Sequence, residues 1–102
     1  MEKIVVLAKL RIKKKFANEV YNELISLHNN TKKFDEGCIQ YDLHKNPDEE
    51  NSFVFVETWE SLTALTKHEK KEHFVSFIES VEGKLESLDI SKLIKIDIKN
   101  KD

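Results

Sequence analysis

Apolar positions along the chain first alternate, then recur at helical spacing, then alternate again, and these switches of period divide it into elements. Ile4 to Ile12 (IVVLAKLRI) is β-branched and aliphatic, and its end alternates Ala8, Leu10 and Ile12 against Lys9 and Arg11, which predicts a strand. From Phe16 to about Lys33 the period lengthens. Ala17, Val20, Leu24, Leu27 and Thr31 recur every three or four residues, with Tyr21 and His28 beside them, as in an amphipathic helix. Asp35-Glu36-Gly37 reads as the helix exit, with Gly37 free to take the left-handed conformation.

Cys38 to Lys45 (CIQYDLHK) alternates again, Ile39, Tyr41 and Leu43 against Gln40, Asp42 and His44, giving a second strand. The polar connector NPDEENS, 46–52, carries the only proline and reads as a hairpin loop. FVFVETW, 53–59, is a third strand, apolar on both faces. Ser61 is the expected N-cap of a short helix with Leu62 and Leu65 on its inner side. The charged run EKKE, 69–72, interrupts the pattern before Phe74, Phe77, Ile78, Val81 and Leu85 restore a helical stripe. Leu88, Ile90, Ile94, Ile96 and Ile98 alternate as a closing strand, and the tail at 99–102 is expected to fray.

The order β-α-β-β-α-β is that of an α+β, ferredoxin-like split βαβ domain, one unit over residues 1–102, with both helices on one face of an antiparallel sheet. In such a sheet the uncovered face should carry polar residues at alternate positions. Two strands break that rule, since Ile4 and Val6 oppose Val5 and Leu7, and Phe53 and Phe55 oppose Val54 and Val56. An apolar strip of that size is unusual on a soluble monomer. The expected cover is a second copy, in a homodimer formed through the sheet face.

Composition narrows the partners. Lys and Arg number 17 against 19 Asp and Glu, so the net charge of -2 points away from nucleic acid, and RIKKK at 11–15 reads as a solvated strand end and turn. Charged residues make up 35% of the chain, a wet balance that favours either marginal stability or burial of further surface against a partner. One cysteine, Cys38, cannot form an internal disulfide and fits a reducing compartment. The apolar run Ile4 to Ala8 is too short for a signal-peptide core or a membrane span, so a cytoplasmic protein without membrane attachment is expected.

The chemistry on offer lies mainly in four histidines. His68 and His73 are five apart, about 140° around an uninterrupted helix, and neither HExxH nor CxxC occurs, so no metal site is expected. No glycine-rich loop exists to cradle a phosphate, which disfavours nucleotide cofactors. Cys38 reads as a small buried filler rather than a nucleophile. His28 is either a satisfied core side chain or lines a cavity between helix and sheet; His44 lies near the hairpin on the polar face. His68 ends the short helix, where a cation complements the dipole, and His73 opens the next. Trp59 ends the third strand, where core filling is the plainest role. A bend at EKKE is what would let both later histidines face one pocket.

EGCIQY (36–41), FVFVETWES (53–61) and LTKHEKKEHF (65–74), in this order and spacing, resemble the antibiotic biosynthesis monooxygenase family, quinol monooxygenases included. The resemblance spans nearly the whole chain. It implies a dimeric α+β barrel and an oxygenase that needs neither metal nor flavin. A base would deprotonate a quinol-like or polycyclic phenolic substrate, whose anion then reduces O2 in a dry cage. By that resemblance Trp59 is the aromatic wall, and His68 and His73 are the candidate base or hydrogen-bond partners. Tyr41 would donate to a quinol oxygen and Glu57 would orient one of the two histidines, and Tyr41, Glu57 and His28 are the candidate substrate-binding residues. Several oxygenase branches, the haem-degrading one among them, carry an asparagine on the first strand as a substrate or oxygen contact, where this chain has Ala8 and Lys9, which argues against haem degradation. The family also contains a branch that isomerises a phosphorylated sugar, so an isomerase of a small keto sugar is one alternative. A non-catalytic dimeric ligand-binding module is another.

Overall fold

A computed structural model describes residues 2–99. Its strands are β1 (Ile4–Ile12), β2 (Cys38–Lys45), β3 (Ser52–Trp59) and β4 (Leu85–Ile94), and its helices α1 (Ala17–Phe34), α2 (Leu62–Glu69) and α3 (Glu72–Val81), with a 3-10 turn at Lys14–Phe16. The strands form one antiparallel sheet in the order β2-β3-β1-β4, the ferredoxin-like arrangement that the alternation predicts. The charged break also appears: Lys70 and Lys71 part α2 from α3. Ser61 caps α2 through its hydroxyl, which accepts from the Ala64 N–H at 3.2 Å.

Period-two alternation sends Ile4, Val6, Ala8, Leu10 and Ile12 of β1 to the inner face, where all are buried. Phe55 and Trp59 of β3 and Tyr41 of β2 share that face, and Val20, Leu24 and Leu27 of α1, Leu65 of α2 and Phe77 and Val81 of α3 close over them. On the outer face Val5, Leu7, Val54 and Val56 are half-buried, because neighbouring strands shield one another there.

Five expectations need correction. Leu85 opens β4 instead of closing the helical stripe, since α3 ends at Val81. The closing strand ends at Ile94, and Ile96 and Ile98 lie beyond it, in no regular structure and strongly exposed; of the tail, 100–102 fall outside the described residues. Ile39 does not share a face with Tyr41, because the register shifts between Cys38 and Gln40 and leaves Ile39 49% exposed at the irregularity. Leu62 is 58% exposed, since α2 turns only Leu65 and His68 fully inward. Finally, the helices stop short of β4. Leu88, Ile90 and Ile94, on the same inner face, are about half exposed. The apolar surface in need of cover is therefore larger than the outer strip alone. The radius of gyration, 14.7 Å, exceeds the ~13 Å of a compact chain of this length.

Candidate functional site

Register sets the floor of the site. Tyr41 of β2 lies opposite Glu57 of β3, Glu57 opposite Val6 of β1, and Val6 opposite Lys92 of β4, so one row crosses all four strands on the inner face. In the next row Phe55 faces Ala8 and Ala8 faces Ile90, and the small Ala8 leaves room above it. Trp59, two residues past Glu57, is fully buried and donates from Nε1 to Glu57 Oε1 at 2.9 Å. Burial pushes the Glu57 carboxyl up to about 7, against the opposing pull of the Trp59 hydrogen bond; the Glu69 charge adds to the rise. Tyr41 is also buried, and burial followed by the Glu57 charge raises its hydroxyl, which stays a neutral donor.

The roof comes from the ends of three helices. His68, in the last turn of α2, packs its ring 4.6 Å from Trp59, and its Nε2 lies 3.5 Å from the Tyr41 hydroxyl. Its Nδ1 pairs with Asp35 Oδ2, just past the end of α1. Across the break, His73 in the first turn of α3 brings Nε2 to 2.8 Å from Asp35 Oδ1. Asp35 is the centre of this cluster, with a side chain only 1% exposed. Burial lowers the His68 pKa and the Asp35 contact opposes this, so near neutral pH the ring is neutral. A neutral ring that donates Nδ1–H to Asp35 keeps its Nε2 lone pair free toward Tyr41.

One glycine makes the cluster possible. Gly37 has φ +79°, and a Cβ there would lie 2.6 Å from the Ala64 Cβ. Only glycine combines that conformation with so close an approach to α2. Gly37 also accepts a backbone hydrogen bond from Glu60 N–H at 2.8 Å, which fastens the end of α1 beside the start of α2.

Two openings flank the cluster. The inner one is a narrow apolar pocket of about 50 Å³ between helices and sheet, floored by Ala8, Phe55 and Glu57 and roofed by Leu65, His68 and Phe74. At its β4 side Lys92 Nζ and Glu69 Oε2, 3.1 Å apart, both line it. The outer one is a polar groove of about 420 Å³ between α1 and α3, lined by Glu23, Asn30, Glu72 and His73.

Of the residues singled out in the sequence, Tyr41, Glu57 and His68 converge on the inner pocket. His73 opens instead to the outer groove and joins the others through Asp35. Trp59 lines neither opening; it sits behind His68 and Glu57. His28 packs its ring 6.4 Å from that of Tyr41 but does not line the inner pocket: it is hydrogen-bonded to Asn29 and lines a shallow hollow at the β2 edge with Asp42 and His44. Cys38 is part-buried, and burial pushes its thiol up to about 11, so it is no thiolate nucleophile near neutrality. Asp35 escaped the sequence reading because it doubled as a helix exit. The available signal was its sign, since a carboxylate just past a helix C-terminus opposes the dipole and must answer to another partner.

Comparison with known proteins gives one consistent picture. The profile of the antibiotic biosynthesis monooxygenase family matches residues 3–80. The chain is 35% identical over 75 residues to the Bacillus subtilis (strain 168) protein named Putative monooxygenase YcnE, covering 74% of this chain and 78% of that one. The crystal structure of PA3566 from Pseudomonas aeruginosa superposes with a TM-score of 0.87 at 27% identity, covering 95% of this chain and 97% of the other. A conserved protein from Methanosarcina mazei Go1 superposes with a TM-score of 0.86 at 26% identity, covering 94% and 95%.

Proposed function

The chain belongs to the antibiotic biosynthesis monooxygenase family, and from that premise we propose a monooxygenase that works without cofactor on a quinol-like or polycyclic phenolic molecule. The observation that carries this reading is His68: a neutral imidazole held by Asp35 at Nδ1, with Nε2 turned toward Tyr41 and an apolar pocket. That is an oriented base in a dry site, which is what deprotonating a phenol near neutral pH requires. His68 Nε2 takes the phenolic proton. The Tyr41 hydroxyl and the Lys92 ammonium, both lining the pocket, stabilise the oxyanion. The anion then supplies the electrons. One atom of O2 enters a ring carbon and the other leaves as water, while the quinol hydroxyls become quinone carbonyls. The substrate provides all four electrons, so no external reductant is needed. Trp59 holds Glu57 and backs the His68 ring rather than touching the substrate.

The pocket is smaller than the few hundred Å³ usual for a small-molecule site. An aromatic ring enters by parting Glu69 from Lys92 and displacing Ile78 beside them. The test is oxygen uptake with a panel of reduced naphthoquinols, in wild type and His68→Gln. Uptake that depends on His68 supports the reading. Turnover without oxygen consumption points to an isomerase, and ligand binding indifferent to His68 and His73 points to a binding module.

In the same reading the chain works as a homodimer in the cytoplasm, where an unpaired Cys38 is at home. Support for the dimer comes from the sheet: Leu88, Ile90 and Ile94 uncovered on the inner side of β4, with Leu93 on its outer side beside Val5. Light scattering at micromolar concentration tests it, and a mass of 12.0 kDa, that of one chain, rejects it. Among the described residues no helix is long and apolar enough to cross a membrane.

A further inference from the structure

We propose that Asp35, His68 and His73 bind one divalent transition-metal ion. Their donor atoms all lie within 4.8 Å of one another. The second observation is an unmet hydrogen bond. Asp35 Oδ1 and His73 Nε2 are 2.8 Å apart and both atoms are buried, yet the N–H line misses and, among the described residues, neither atom has a hydrogen-bond partner. Buried polar atoms are ordinarily paired, and two of them facing each other unpaired is costly. A cation beside the pair and bound by both atoms satisfies the two at once, as a ligand atom needs a lone pair and no hydrogen.

The donor set names the class of ion. Two imidazoles and one carboxylate suit zinc, cobalt, iron, nickel or copper, whereas calcium and magnesium prefer all-oxygen shells. Three protein ligands leave a coordination position for water. The surroundings have the expected outer layer: the Tyr41 hydroxyl stands beside His68 Nε2, and the Trp59 ring fixes the plane of the imidazole. The path in is the polar groove between α1 and α3, whose wall includes His73, 14% exposed. The histidine spacing, adverse on one straight helix, serves here because α2 and α3 each contribute one histidine from opposite sides of the break.

This site shares His68 and Asp35 with the proposed reaction and so bears on it. An ion on His68 Nδ1 takes the lone pair that the Asp35-bound tautomer keeps protonated, and the proton resides on Nε2 instead. His68 then faces the pocket as a donor rather than a base. Metal binding and phenol deprotonation are mutually exclusive, and the ion acts as an inhibitor.

The experiment is titration of chelator-treated protein with cobalt(II), followed by its visible absorption bands and by native mass, with zinc(II) displacing the bands. Expected is one ion per chain, a raised melting temperature with zinc, and at least tenfold weaker binding in His73→Gln and in Asp35→Asn. His73→Gln is the safer variant for folding, since its side chain borders the groove. His44→Gln, at an exposed histidine, is expected to bind as wild type does. Absence of the bands at tenfold excess of cobalt, or equal loss in His44→Gln and His73→Gln, overturns the proposal. These readouts need no substrate, so they stand whether or not quinol oxidation is found; where it is, zinc at one equivalent should abolish it.

Discussion

On the inner face of the sheet, Phe55, Glu57 and Trp59 of β3 are buried, while the residues level with them two strands away, Ile90, Lys92 and Ile94 of β4, are about half exposed. Strand pairing and pleat are the same for both sets. What differs is the helix layer, which lies over β3 and stops before β4. The comparison teaches that the chemistry of this face is made by cover rather than by the sheet. Under the helices the pKa of a carboxyl rises toward 7 and an imidazole stays uncharged; at the bare edge the chain has a half-exposed apolar strip and the Lys92–Glu69 ion pair.

The largest effect is expected from emptying the covered end. Trp59→Ala should lose about 3–5 kcal/mol in urea unfolding, the range for large aromatic deletions, and should free both Glu57 and the His68 ring. Next comes pH. A carboxyl whose native pKa lies above its unfolded value contributes stability that is complete below the unfolded value and lost as pH rises to the native one. For Glu57 the window runs from 4.5 to about 7. Relative to wild type, Glu57→Gln should therefore gain about 3 kcal/mol across it, at about 1.4 kcal/mol per pH unit. Taking the difference between the two proteins removes the opposite contribution of His68, whose lowered pKa favours stability as pH rises. Parallel stability curves would remove the case for a buried, near-neutral Glu57.

Gly37→Ala should cost about 2–3 kcal/mol, combining a left-handed non-glycine residue with a steric overlap. It should also push α2 from the end of α1, visible as a changed His68 imidazole resonance. At the bare end, Ile90→Ala should cost less than about 1 kcal/mol in dilute protein. A larger, concentration-dependent loss would mark the strip as buried against a second copy.

Much of this contrast was legible in the chain. Alternation located the strands, Ser61 and EKKE marked the start and the break of the second helical segment, and parity put Glu57 and Trp59 on one side. Cover was less legible. Nothing local distinguishes Ile90 from Phe55, since both read as inward apolar residues, and only helix placement separates them. Asp35 shows the same limit. Its partners lie 33 residues away at His68 and further still at His73, and the contact depends on how closely Gly37 lets two helix ends approach.

The pairing of β1 with β4 has a consequence for the order in which the protein is made. Ile4 at the start of β1 pairs with Ile94 at the end of β4, so the sheet joins nearly the two extremes of the described chain. Such long-range pairing is slow to form, because a large loop must close before contacts repay it. During synthesis β1 emerges before β2, β3 and β4 and keeps one edge open until β4 arrives. The pocket also takes Lys92 and Ile90 from that strand, so it is completed only after the other three strands have been made. Until then the exposed edge of β1, apolar at Val5 and Leu7, is the segment most open to wrong pairing with a neighbouring nascent chain.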